Sequence, residues 1–110
     1  MRNFVQGRWP LRGHARFAID LRLIIRTNIR IYGRTKDISE GGLGATVPYD
    51  LPLGELVEVE FQFPDAPEPL ALNATVHFRE GFHYGFKLIE PTRRQLETIR
   101  RETRSLPVIR

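Results

Sequence analysis

The chain has 110 residues, of which 41% are apolar and 27% charged; it carries a formal net charge of +4 and no cysteine. A chain of this size supports one hydrophobic core, and its composition is that of a folded protein rather than a disordered one. The lack of cysteine removes disulfides, thiolate metal sites, cysteine nucleophiles and Fe–S ligation together. No apolar run approaches the roughly 20 residues of a bilayer span, and the first 16 residues contain no signal-like apolar block, so a cytoplasmic location is expected.

Charge is distributed unevenly. Up to Lys36 the chain holds eight arginines and one lysine against a single acid, Asp20, whereas the middle third is acidic. An anionic partner for the N-terminal part follows, and the preference for Arg over Lys favours planar, bidentate recognition of phosphates or base edges.

The first 16 residues, interrupted by Gly7, Pro10 and Gly13, are expected to form a flexible arm bearing arginines. From Phe17 the pattern alternates: Ile19, Leu21, Leu23 and Ile25 share one face, with Asp20, Arg22 and Arg26 on the other, which predicts a half-buried strand. After a turn at Thr27-Asn28, Ile29 and Ile31 resume an apolar face. Asp37 to Gly42 reads as a glycine-rich loop, and Leu43 to Val47 as a short strand. A fourth strand is marked by Val57, Val59, Phe61 and Phe63 alternating with Glu58, Glu60 and Gln62. The fifth runs from Leu70 to Phe78, and the sixth carries Tyr84, Phe86 and Leu88 on one face. Six strands at this spacing, over residues 17–89, predict an all-β barrel or sandwich. Pro91 and Thr92 then open a helix over residues 91–105, with capping-box spacing between Thr92 and Gln95 and a stripe of Leu96, Ile99, Thr103 and Leu106.

Catalysis finds no inventory. His14, His77 and His83 form no metal-binding pair, no serine occupies a nucleophile-elbow motif, and Glu58 with Glu60 is explained by a solvated strand face. No metal site and no enzymatic activity are expected.

The loop from Asp37 has two readings. It is an Asx-turn closed by two glycines, or a ligand wall in which Asp37 accepts from paired donors, Ser39 adds a hydroxyl, and Gly41 and Gly42 supply positive φ and close approach. The arginines bear on the choice. Arg22 with Arg26, and Arg30 with Arg34, share strand faces and read as solvated surface. Arg12 and Arg16 instead lie in the irregular segment before the first strand, with Gly7, Pro10 and Gly13.

Arg12-x-x-x-Arg16 followed by Asp37-x-Ser39-x-x-Gly42 resembles the two-part signature of the PilZ domain family. The likeness extends through Pro52-Leu53-Gly54, the segment Ala74 to Glu80 and the Tyr84-Gly85-Phe86 step to the closing helix, covering about Leu11 to Thr103. The resemblance implies a six-stranded antiparallel β-barrel with a C-terminal helix. It also implies binding of the second messenger cyclic di-GMP by Arg12, Arg16, Asp37, Ser39 and Gly42, no cofactor, and output through a downstream protein partner. Leu11, where many relatives that bind a stacked pair of ligands carry a further Arg or polar residue, implies one ligand per site. Phe78, where many relatives carry Trp, is either a ligand contact or core, and Trp9 lies just outside the first motif.

Two alternatives stay open. One is a basic β-barrel that binds RNA or single-stranded DNA along a track of Arg22, Arg26, Arg30 and Arg34. The other is a PilZ-type adaptor that acts without ligand.

Overall fold

In the computed structural model, which describes residues 14–109, the strands are β1 (Arg16–Ala18), β2 (Arg22–Arg26), β3 (Arg30–Ile38), β4 (Gly42–Thr46), β5 (Leu56–Phe61), β6 (Leu70–Glu80), β7 (His83–Leu88) and β8 (Val108–Ile109). One helix, α1 (Arg93–Thr103), stands between β7 and β8. The sheet runs in the order β2-β5-β6-β7-β4-β3, and β3 pairs back onto β2, which closes six strands into a barrel. Every pairing is antiparallel. The fold expected from the sequence is the fold observed.

Alternation fills the barrel. Leu23 and Ile25 of β2, Val57, Val59 and Phe61 of β5, Leu72, Ala74 and Val76 of β6, and Tyr84, Phe86 and Leu88 of β7 all point into one core. Burial of each large apolar side chain stabilises by about 1.5–3 kcal/mol before entropy is counted. Tyr84 also needs polar partners inside: its hydroxyl accepts from the Leu51 backbone N–H at 2.9 Å and donates to the Tyr49 carbonyl at 2.5 Å.

The first expected strand is in fact two. Apolar alternation runs unbroken through Ile19, Leu21, Leu23 and Ile25, but pairing stops after Ala18 and resumes at Arg22. Thr35, which is buried, occupies the break: its hydroxyl accepts from Leu21 N–H and donates to the Ile19 carbonyl, both at 2.8 Å. A second irregularity lies opposite, where the β3–β4 register shifts between Thr35 and Asp37. These two kinks let β1 leave the barrel wall and pair with the far end of β3, Phe17 opposite Ile38 and Ala18 opposite Asp37.

Helix α1 begins as its sequence predicts. Gln95 N–H donates to the Thr92 hydroxyl at 3.1 Å and the Gln95 side chain accepts from Thr92 N–H at 2.9 Å, a complete capping box. Ile99 and Thr103 are buried, Leu106 packs against the core, and Gln95 also donates to the Ala71 carbonyl at 2.9 Å. After the helix the chain doubles back. Ala18 N–H donates to the Pro107 carbonyl at 2.9 Å, and β8 pairs with β1, Arg16 opposite Ile109 and Phe17 opposite Val108.

Candidate functional site

Arg16 and the turn that follows Asp37 converge because β1 is the neighbour of β3. Arg16 is the first residue of β1 and Asp37 the penultimate residue of β3. The Arg16 guanidinium approaches the Asp37 carboxylate at 3.5 Å, with the Arg16 side chain 27% exposed and that of Asp37 11%. At that separation, the outer limit of hydrogen-bond distance, attraction orients the guanidinium while most of its five N–H donors stay available. Arg12 falls outside the described residues.

Ser39 and Gly42 build the turn. The buried Ser39 hydroxyl accepts from the N–H groups of Gly41 and Gly42, each at 3.1 Å, and Ser39 N–H donates to the Gly42 carbonyl at 2.8 Å. The hydroxyl is therefore occupied in shaping the loop, a Ser/Thr turn in place of the Asx-turn weighed from the sequence. The expectation of positive φ at Gly41 and Gly42 is not met. Among the described residues positive φ falls at Gly54 (85°), Gly81 (62°) and Glu90 (44°). Gly41 serves close approach instead, since a Cβ there would come within 2.9 Å of the His14 ring.

A further glycine escaped the sequence reading. Asp37 lies opposite Gly44, and a Cβ on Gly44 would stand 2.7 Å from one Asp37 carboxylate oxygen and 3.0 Å from the other. The Asp37 side chain thus lies across the bare backbone of β4. Gly44 in turn opposes Gly85, and Gly85 opposes Phe78. Opposed residues of antiparallel strands share a face, and the adjoining row of Ile38, Leu43, Phe86 and Val76 is core. Asp37, Gly44, Gly85 and Phe78 therefore form one row across the outside of the barrel, a carboxylate and an aromatic ring separated by two glycines. A glycine inside a strand, as at Gly44 and Gly85, is the sequence signal for such an approach.

Glu40 ties this turn to the helix. Arg100 donates to both Glu40 carboxylate oxygens at 2.9 Å, a bidentate pair. The hydrogen bond from Arg100 holds the Glu40 carboxyl below its ordinary value, opposed by burial and assisted by the Arg100 and His14 charges. Nothing in the sequence links residues sixty positions apart.

The outward arginines of the barrel are largely committed. Arg26 donates to Glu60 at 2.5 Å and Glu58 at 3.4 Å, and Arg34 to Asp20 at 2.7 Å. Among the described residues no group of three acidic or histidine side chains is placed to hold a metal, and no helix is long and apolar enough to cross a membrane.

Six antiparallel strands closed into a barrel, with one helix packed on it among the described residues, define a small β-barrel domain with a C-terminal helix. Residues 10–105 match the PilZ domain model, and the chain belongs to the PilZ domain family. Solved structures with this fold include the PilZ domain with c-di-GMP of YcgR from Escherichia coli (TM-score 0.72, 16% identity, 88% of this chain and 92% of that one). The Bacillus subtilis inhibitor of motility MotI/DgrA has a TM-score of 0.70 at 18% identity, over 89% of this chain, which spans 54% of that protein. The PilZ domain of CeSA from a cellulose-synthesizing bacterium has a TM-score of 0.64 at 19% identity, covering 80% of this chain and 93% of that one. No curated protein matches the chain.

Proposed function

We propose that this PilZ domain binds cyclic di-GMP as a non-catalytic cytoplasmic effector, with Arg12 and Arg16 as the ligand's principal donors and an arm-mediated signal to a downstream protein. The observation that carries the reading is the convergence of Arg16 with the nearly buried Asp37 beside the Ser39–Gly42 turn. Cyclic di-GMP presents two phosphates and two guanines. A guanidinium bonds phosphate oxygens or the O6 and N7 acceptors of guanine in the same planar geometry and stacks on the purine face. Asp37 orients Arg16, Ser39 fixes the turn, and Gly42 keeps backbone within reach of the base. The YcgR structure, a PilZ domain with this ligand, supports the assignment.

The nucleic-acid alternative loses weight because Arg26 and Arg34 are engaged by Glu58, Glu60 and Asp20, which leaves Arg22 and Arg30 of the track without ion pairs among the described residues. Calorimetric titration with cyclic di-GMP, GTP and a short oligonucleotide separates the readings. Arg16→Ala and Asp37→Ala are expected to weaken dinucleotide binding by about 10- to 100-fold each, the range for lost charge-assisted hydrogen bonds. Arg26→Ala is expected to leave it unchanged. An oligonucleotide bound as tightly as the dinucleotide, or an Arg26 loss equal to that of Arg16, refutes the proposal.

A further inference from the structure

The charges around the turn largely cancel. Arg16 faces Asp37, and Arg100 faces Glu40. A dianionic ligand held there needs cations that are not already balanced. Lys36, the additional residue of the β3 irregularity, shares with Asp20 and Arg34 a hollow that no residue of the turn lines. Lys87 differs. It is exposed, makes no ion pair among the described residues, and stands on β7 directly opposite Gly42, the last residue of the turn motif.

Register places Lys87 on the face that matters. Phe86 and Leu88 on either side of it are buried core, so Lys87 points outward with Gly85, two residues away. From Asp37 it is two strand spacings across and one two-residue step along, about 12 Å between Cα atoms. The two glycines Gly44 and Gly85 lie between them, with no side chain to block a flat ligand.

We infer that Lys87 is a further ligand-binding residue: its ammonium takes a phosphate of the dinucleotide at the β7 side of the glycine row, opposite the arginine side. The inference rests on the proposed cyclic di-GMP reading. A lysine fits this role as a point charge on a flexible stem, which neutralises phosphate without the angular demands of guanidinium.

Titration of cyclic di-GMP into wild type, Lys87→Gln, Lys87→Arg and Arg30→Gln at low and moderate salt tests it. Arg30, at the opposite end of β3, controls for the loss of one positive charge. Lys87→Gln is expected to bind about tenfold more weakly, with a shallower salt dependence, Lys87→Arg near wild type, and Arg30→Gln within about twofold. All four are expected to melt together, since both positions are exposed. If wild type binds and Lys87→Gln matches Arg30→Gln in affinity and salt dependence, the Lys87 assignment is overturned while the cyclic di-GMP reading stands. If wild type fails to bind cyclic di-GMP, both are overturned.

Discussion

Gly44→Ala tests whether the Asp37 carboxylate lies where the site requires. The added methyl would meet the carboxylate oxygens at 2.7 and 3.0 Å and its carbon at 3.1 Å, all inside ordinary contact distance. The carboxylate is terminal and can rotate, so the cost falls at the low end of overpacking, about 1 kcal/mol. For a domain of this size that is a fall of about 4–8 °C in Tm. Rotation also draws the carboxylate from Arg16, 3.5 Å away. In an Asp37→Ala background the obstructing group is gone, and Gly44→Ala is expected to cost little. A double-mutant cycle by thermal and urea denaturation reads the difference as a coupling of about 1 kcal/mol. Additivity within about 0.3 kcal/mol refutes the close packing of Asp37 on Gly44.

Two other changes probe the supports of the site. Thr35→Val keeps the shape but strands Leu21 N–H and the Ile19 carbonyl, both bonded at 2.8 Å; a loss of about 1–3 kcal/mol is expected in urea unfolding, and an unchanged midpoint refutes the role of that hydroxyl. Glu40→Gln removes one side of the Arg100 pair, a partly exposed contact expected to contribute about 0.2–1 kcal/mol at neutral pH. Because the folded Glu40 carboxyl is held below its ordinary 4.5, its contribution is present above that value and is lost as pH falls through the lowered one. The gap between wild type and Glu40→Gln therefore closes on acidification, and a gap equal at neutral pH and at about pH 3 shows that the contact is not ionic.

The parts legible in the sequence are those set by local pattern. Period-two alternation from Val57 to Phe63 and from Leu70 to Phe78 marks strands in place, and the Thr92–Gln95 box marks the helix start. What escapes depends on register or distance. The break after Ala18 is silent because Ile19 and Leu21 keep the apolar phase on both sides, and only the buried Thr35 hydroxyl records it. Two-residue β8 carries no periodicity at all. Arg26 and Arg34 read as solvated because their partners Glu60 and Asp20 become neighbours only once β2, β3 and β5 are aligned. The motif residues are named by the sequence, but it does not say that Ser39 spends its hydroxyl inside the turn or that Gly44 makes room for Asp37.

The connections of the site run toward the helix as much as toward the barrel. Arg16 belongs to β1, which is short and held on one side by β3 and on the other by β8, the strand that directly follows α1. Glu40 meets α1 itself through Arg100. Both walls of the site therefore have mechanical contact with the C-terminal segment, one by backbone pairing and one by an ion pair. On the proposed reading, a shift of Arg16 toward the ligand would load the β1–β8 pairing, and a shift of the turn would load the Arg100 contact. The barrel core lies beneath both and is close-packed, so it resists deformation. If the proposed ligand binds, α1 and β8 are where its occupancy is expected to alter hydrogen-exchange protection most.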